Sequence, residues 1–342
     1  MAKLLRESQL YQGVDIIKNG GTVAFRTETV YGLGADATND EAIKKIFQAK
    51  ARPQENPLII HFASLDHLRF FFPNIDSVAL SILTKVKSAL TILLPKPEDC
   101  LISPVAYGGG DFVAVRIPNC NFSKRFIRAC GVPLAAPSAN TSSRPSTTRW
   151  EDVVADLDQK ADAVFMGRHS SIGLESTVIH LTPQNTIEVL RQGGASIQLL
   201  KNKTGLPVTL ATHEEQLKSS PGTRFKHYSP SVPLYIGWPR GYCHETDFTE
   251  MVERINNFAA TRHTIVLCAT QHYRKYPGLT LIPLGRNAKQ ISYNLFKAIR
   301  VAEKMILAGE GSGAIVVEAF EDTDKFLSIN ERLSKASDGK HV

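Results

Sequence analysis

Strand and helix patterns alternate along most of the chain and stop once, between Leu206 and Pro233. Apolar runs bounded by turn residues, "GGTVAFRT" and "NPLIIHFA", predict strands, and "NDEAIKKIFQAK" between them predicts a helix capped by Asp40. Alternating strands and helices are typical of α/β domains, because helices cover the faces of the sheet. One core rarely keeps growing over 342 residues. We therefore expect two α/β domains.

The predicted strands are arranged differently before Leu206 and after Pro233. On the N-terminal side, strands and one further helix are predicted in the stretches "ALTILLP", "DFVAVRIP", "NFSKRFIRAC" (the helix), "VPLAAPS", "ESTVIHLT" and "TIEVLRQGG". On the C-terminal side, the strands "PLYIGW", "HTIVLCAT", "LTLIPLG" and "GAIVVEAF" alternate with three helices, which predicts a small parallel sheet of Rossmann-like type. The proline-rich stretch between them is predicted to be a linker, and its "RFKHY" segment suggests a functional one.

Composition limits the class of protein. The 40 basic and 33 acidic residues give a net charge of +7, which favours an anionic partner such as a nucleotide or RNA. Five cysteines, odd in number and without a C-x-x-C pair, argue for reduced thiols and against a zinc site. The sequence shows neither a signal peptide nor the ~18 consecutive apolar residues of a membrane span. We expect a cytoplasmic protein with no membrane contact and no metal held by its own side chains.

Two cations, Lys50 and Arg52, stand at the predicted helix end in "FQAKARPQENPLIIHF". One explanation is structural, because the helix dipole favours cations at a C-terminus. The other is functional: Pro53 stops the helix and directs both side chains into the next loop, where they could share one polyphosphate.

Several other polar side chains lie in or beside predicted strands, where each is either a satisfied core residue or a ligand-binding one. Arginines at the ends of apolar strands need an anion or an acid partner, because an unpaired buried charge is costly. The loop "APSANTSSRPSTT" is either an ordinary polar loop or a set of hydroxyl, amide and backbone groups facing a ligand. These candidates are Thr29, His61, Arg116, Ser138, Asn140, Ser146, Ser176 and Arg191.

The candidate residues favour one kind of chemistry. The sequence contains no P-loop, no G-x-S-x-G elbow and no H-E-x-x-H motif. Cations and hydroxyls at strand ends, without a carboxylate pair or an activated nucleophile, suit nucleotidyl or phosphoryl transfer, which depends on positioning and charge neutralisation. Mg²⁺ carried in by ATP is expected with such a site.

An ordered set of motifs resembles the YrdC-type domain of the threonylcarbamoyl-AMP synthase family. The motifs are "TETVYGLG", "KARPQENPLIIH", "VAVRIP", "APSAN", "ESTV" and "VLRQGG". The linker "SPGTRFKHYSP" and the small terminal domain are similar to the two-domain form of that family, so the resemblance covers essentially the whole chain. It implies a YrdC-like catalytic domain with a twisted mixed sheet and flanking helices (1–205), a linker that folds over the active site (206–232) and a Rossmann-like domain (233–342).

The resemblance also implies a reaction and its residues. L-threonine, bicarbonate and ATP would give threonylcarbamoyl-AMP and pyrophosphate, and the product would pass to the tRNA threonylcarbamoyl transferase machinery, with only indirect contact to tRNA. The implied catalytic residues around the ATP phosphates are Lys50, Arg52, Ser138 and Asn140. ATP contacts are implied for Arg52, Asn56, Ser138, Ser146, Arg191 and the linker residue Tyr228. L-threonine contacts are implied for Thr29, His61, Arg116 (to the carboxylate), Ala136 (through backbone) and Ser176.

Three positions depart from the family pattern, and two other functions stay open. Arg26, Phe112 and Thr223 stand where the family usually has proline, commonly threonine, and methionine. The phenylalanine removes a hydroxyl, so we give that position no role. The first alternative function is a basic RNA-binding module without turnover. The second is a carbamoyl-transfer enzyme that uses carbamoyl phosphate and needs no threonine.

Overall fold

The computed structural model describes residues 1–211, 227–238, 244–309 and 312–342. The chain divides into two compact units, and each contains more than one segment of the sequence. Unit 1 comprises Met1–Ser142, Thr147–Ser171 and Glu175–Arg224, and unit 2 comprises Ser143–Ser146, Ile172–Leu174 and Phe225–Val342. Two short segments from the middle of the sequence therefore belong to the same unit as its C-terminal part.

Unit 1 is built on one mixed sheet, which in the described residues has 11 strands. The strands are β1 (Lys3–Arg6), β2 (Val23–Arg26), β3 (Tyr31–Asp36), β4 (Ile59–His61), β5 (Leu90–Pro95), β6 (Phe112–Arg116), β7 (Leu134–Ala135), β8 (Ala163–Met166), β9 (Thr177–Leu181), β10 (Ile187–Arg191) and β11 (Val208–Leu210). Their order is β1-β8-β2-β3-β7-β4-β6-β5-β9-β10-β11, with both parallel and antiparallel neighbours. The expected mixed sheet is confirmed.

Helices cover both faces of this sheet. They are α1 (Leu10–Lys18), α2 (Asp40–Lys50), α3 (Leu65–Phe71), α4 (Ser77–Lys85), α5 (Pro104–Tyr107), α6 (Asn121–Cys130), α7 (Trp150–Leu157) and α8 (Ile197–Thr204), with a 3₁₀ turn at Glu7–Gln9. Successive strand residues point to opposite faces. In β2, Val23 and Phe25 accordingly pack with α1 and α6, while Ala24 packs with α2.

Helix α2 brings the first candidate cation to the site, and its two ends differ from the prediction. The expectation that Asp40 caps it is wrong, because Asn39 is the N-cap and its side chain accepts a first-turn backbone N–H at 3.1 Å. The helix ends because Ala51 adopts a left-handed conformation with φ of 50°. It therefore ends at Lys50, three residues before Pro53, and is not stopped by the proline.

The stretch predicted to be a linker begins with a strand. β11 pairs in parallel with β10, over residues Ile187–Val189. Three residues are too few for a period-2 pattern to indicate a strand. Residues 212–226 of this stretch, with Thr223 among them, lie outside the described residues.

Unit 2 contains the second sheet, and all its neighbouring strands are parallel. Its strands are β12 (Leu234–Ile236), β13 (Thr264–Ala269), β14 (Thr280–Gly285) and β15 (Ala314–Val317), in the order β12-β15-β13-β14. Its helices are α9 (Glu245–Ala260), α10 (Ala288–Ala308) and α11 (Leu327–Ser337), with a 3₁₀ segment at Thr270–Lys275. The prediction of a Rossmann-like parallel sheet is confirmed. Among the described helices of the chain, none is both long and apolar enough to cross a bilayer.

Candidate active site

Lys50 fixes the loop that follows β7. It is the last residue of α2, is 1% exposed, and donates from Nζ to the backbone carbonyls of Ser138 and Asn140. Buried carbonyls require donors, and an ammonium group brings three N–H bonds and a full charge to them. The structure thus joins three of the predicted catalytic residues. It directs this cation to the 138–140 loop rather than into the loop after its own helix.

Arg52 makes a different set of contacts. Its Nε donates to the carbonyl of Asn56 at 3.1 Å, and its Nη2 donates to that of Pro57 at 2.9 Å. These bonds close the turn between α2 and β4, and Asn56 is buried inside it. The Arg52 guanidinium group is therefore held against the backbone of the Asn56-Pro57 turn.

Arg116 lies in a buried ion pair with Glu28. Its Nη2 donates to Oε1 of Glu28 at 2.7 Å and to Oγ1 of Thr29 at 2.8 Å. The two charged side chains are 5% and 6% exposed. Two ions removed from water are costly to bury, so the pair needs these hydrogen bonds. The acid partner expected for this strand-end arginine is thus present within the protein.

His61 is next to Arg116 and is uncharged. Strands β4 and β6 run parallel and pair the two residues in register. Burial, and then the cation of Arg116, lower the pKa of His61 to about 3. Its Nδ1 lies 3.0 Å from the carbonyl of Ile59, which also accepts the backbone N–H of Ala136 at 3.0 Å. Two residues expected at the threonine site therefore share one carbonyl.

The neutral state of His61 gives a testable pH dependence of stability. Because its folded pKa of about 3 is below the unfolded value of about 6.5, the contribution to stability is complete above pH 6.5 and is lost as the pH falls towards 3. We expect this group alone to cost about 2 kcal/mol of unfolding free energy between pH 8 and pH 5. Urea unfolding at both pH values, for wild type and His61→Gln, measures it. The variant should lose about 2 kcal/mol less, and equal losses would contradict the prediction.

A second group of polar residues lies at the same end of the strands as Arg116. Strand β5 lies between β6 and β9, and the hydroxyls of Thr91 and Ser176 are 2.7 Å apart. Arg191, at the end of β10, donates from Nη2 to the Ser176 carbonyl at 2.8 Å. A Cβ atom at Gly193 would meet the Ser176 carbonyl carbon at 2.4 Å, so only glycine allows this approach. The "RQGG" motif thus positions Ser176.

Ser146 and Tyr228 belong to unit 2. Ser146 is buried in a short loop whose preceding residue, Pro145, accepts a hydrogen bond from Arg300 Nε at 3.2 Å. Tyr228 is buried in the core of this unit, with its ring 5.2 Å from that of Phe296. Its backbone is left-handed, with φ of 65°, a strained conformation for a bulky residue.

Comparison with known proteins assigns the chain to a family. Residues 15–193 match the family model Sua5_yciO_yrdC, described as "Telomere recombination", and residues 185–338 match "Threonylcarbamoyl-AMP synthase, C-terminal domain". The chain belongs to the threonylcarbamoyl-AMP synthase family. The two matches together cover residues 15–338.

Relatives with this architecture are named threonylcarbamoyl-AMP synthases. The one from Bacillus subtilis is 33% identical over 98% of this chain and 95% of its own length. The one from Schizosaccharomyces pombe is 31% identical over 96% of this chain and 88% of its own length. Among solved structures, P. abyssi Sua5 complexed with L-threonine has a TM-score of 0.85 and 31% identity, covering 100% of this chain and 99% of that one. The two-unit fold is thus that of threonylcarbamoyl-AMP synthases.

Two of the three departures from the family pattern lie in the described residues, and each contacts a neighbouring side chain. Arg26 pairs with Glu7 at 2.5 Å. Phe112 is partly exposed, and its ring contacts that of His180 with the centroids 5.2 Å apart. Both side chains therefore contact neighbouring residues of unit 1.

Sequence reasoning missed two residues of the site. Glu28, the partner of Arg116, lies within the motif "TETVYGLG", but its role was not predicted. Thr91, the partner of Ser176, is the one polar residue in the run "ALTILLP". Two signals in the sequence could have identified them. Glu28 is an acid inside a motif of the candidate site, and Thr91 is a hydroxyl residue inside an otherwise apolar strand.

Proposed function

We propose that the chain forms threonylcarbamoyl-AMP and pyrophosphate from L-threonine, bicarbonate and ATP. The observation that carries this is the buried group of Arg116, Glu28 and Thr29 beside the neutral His61. It lies in a chain that is similar, over its whole length, to a protein whose crystal structure contains L-threonine. A fixed cation suits the carboxylate of an amino acid, and a neutral imidazole beside it does not repel an ammonium group.

The second half of the proposed site binds the nucleotide. Both reacting groups, a carbamate and a triphosphate, are anionic, so cations that neutralise them lower the barrier. Lys50, held by the Ser138 and Asn140 carbonyls, and Arg52 with Asn56 support this role. Arg191 completes the proposed ATP-binding set of unit 1, and Ala136 and Ser176 complete the threonine set. The ATP contacts of Ser146 and Tyr228 stay predictions from the sequence.

Magnesium enters the proposal only with ATP. Among the described residues, no group of three or more His, Cys, Asp or Glu side chains could hold a metal ion. Mg²⁺ usually keeps several waters and few protein ligands, so the described residues are compatible with an ion held by the phosphate oxygens of ATP and by water. When bound, the ion would neutralise phosphate charge. We also propose a cytoplasmic location and transfer of the product to the tRNA threonylcarbamoyl transferase machinery.

A substrate-omission assay tests the proposed function. Pyrophosphate release by the purified wild-type chain is expected to require ATP, L-threonine and bicarbonate together, and to fall to background when any one is omitted. L-serine and L-valine serve as matched controls, because each lacks one part of the threonine side chain. Release that continues without threonine would contradict the proposal, as would turnover of carbamoyl phosphate in its place.

A further inference from the structure

Glu28 is the acid in contact with the proposed threonine site, and only half of its carboxylate is used. Oε1 accepts from Arg116 Nη2 at 2.7 Å. Oε2 is buried and has no hydrogen-bond partner among the described residues, and Arg116 Nε is in the same condition. A buried polar atom without a partner costs about 1–3 kcal/mol. The ion pair therefore contains two unsatisfied atoms: an acceptor, Glu28 Oε2, and a donor, Arg116 Nε.

These two atoms are complementary to an amino acid. A carboxylate of the ligand would accept from Arg116 Nε, and its ammonium group would donate to Glu28 Oε2. No other molecule of the proposed reaction carries both groups. An ion pair that leaves one donor and one acceptor open is therefore suited to a zwitterion.

We propose that Glu28 is the catalytic base that removes a proton from the α-ammonium of L-threonine, an assignment that rests on the proposed function. The carboxylate of the ligand would share Arg116 with Glu28, which places Glu28 Oε2 beside the ammonium group. Ligand binding thus converts Glu28 from a counter-ion into a base.

The proposed step converts the ammonium form of L-threonine and bicarbonate into the carbamate and water. Glu28 Oε2 takes one proton from the ammonium, and the freed lone pair forms the N–C bond to the bicarbonate carbon. The C–OH bond of bicarbonate breaks, and the hydroxide leaves as water with a second proton from the nitrogen. The product is the carbamate, and Glu28 returns its proton to solvent.

The ionisable neighbours of Glu28 described here lie on strands of unit 1. Arg116, on β6, is in contact with Glu28, and His61, on β4, is paired with Arg116 and stays neutral. Ser171, also in unit 1, donates from its hydroxyl to the Glu28 backbone carbonyl at 3.4 Å. The pH dependence that the test follows is therefore that of the substrate amine.

The test is Glu28→Gln, assayed for pyrophosphate release that depends on threonine and bicarbonate, from pH 6.5 to pH 9.5. We expect kcat/KM for L-threonine to fall about 10²-fold at pH 7, the usual contribution of a general base. The deficit should shrink about tenfold per pH unit as the amine loses its proton unaided. A purely structural role would give a deficit that does not change with pH. That outcome, or an unchanged rate, overturns the inference.

Two further variants complete the test. Glu28→Asp keeps the counter-ion for Arg116 but withdraws the carboxylate by one methylene, so a smaller deficit that also shrinks with pH is expected even if the glutamine variant does not fold. Glu7→Gln is the control: it removes another arginine-paired acid of unit 1, 2.5 Å from Arg26, and should leave the rate unchanged. Wild type is assayed first. Threonine-independent release by wild type rejects the proposed function, whereas normal wild-type behaviour with a pH-independent deficit rejects only the role of Glu28.

Discussion

Replacing Lys50 with methionine is expected to reduce threonine-dependent pyrophosphate release by about 10²–10³-fold. The variant keeps most of the side-chain volume but removes the charge and the donors to the Ser138 and Asn140 carbonyls. Each buried carbonyl left without a donor costs about 1–3 kcal/mol, so the unfolding free energy should fall by about 3–5 kcal/mol. Steady-state kinetics and urea unfolding measure the two effects separately.

Lys44→Met is the matched control for this variant. Lys44 lies on the same helix but is 44% exposed and pairs with Glu41 on the surface. Exposed pairs of this kind contribute little, so neither rate nor stability should change measurably. If Lys50→Met kept wild-type activity while losing stability, Lys50 would be a structural residue and its assignment to the phosphate site would be wrong.

Much of the fold could be predicted, because the signals are local. The apolar spacing of Ile43, Ile46 and Phe47 predicts the buried face of α2, and all three residues are buried. The strands predicted in "ESTVIHLT" and "TIEVLRQGG" are present as β9 and β10, which pair antiparallel. Such patterns depend on burial along one element, which a sequence displays directly.

The contacts of the site could not be predicted, because they join residues that are distant in sequence. The Lys50 ammonium meets the carbonyl of Ser138 across 88 residues, and the same separation divides Arg116 from Glu28. Backbone carbonyls leave no trace in a sequence, so the destination of Lys50 could not be inferred from periodicity. The requirement that Arg116 have an anionic partner was predictable, but whether the ligand or the protein supplies it was not.

Replacing Arg116 with methionine is expected to raise the KM for L-threonine by about 10²–10³-fold, since charged hydrogen bonds contribute about 1.5–3 kcal/mol each. The variant also leaves Glu28 buried without its counter-ion. Removing one partner of a buried pair typically costs about 3–5 kcal/mol, which should appear in urea unfolding. An exposed pair provides the control: Arg254→Met, which removes the partner of Glu250 at 2.6 Å, should change stability by less than about 0.5 kcal/mol.

The double variant Arg116→Met/Glu28→Gln separates ligand binding from folding. Once the carboxylate is also neutral, no unpaired charge remains buried, so most of the lost stability should return, with a coupling energy of at least about 2 kcal/mol. The KM for L-threonine should not recover, because the cation that binds the substrate carboxylate is still missing. Recovery of both quantities would mean that Arg116 serves only to neutralise Glu28. Recovery of stability alone is the result expected if the buried ion pair is also the binding site of the amino acid.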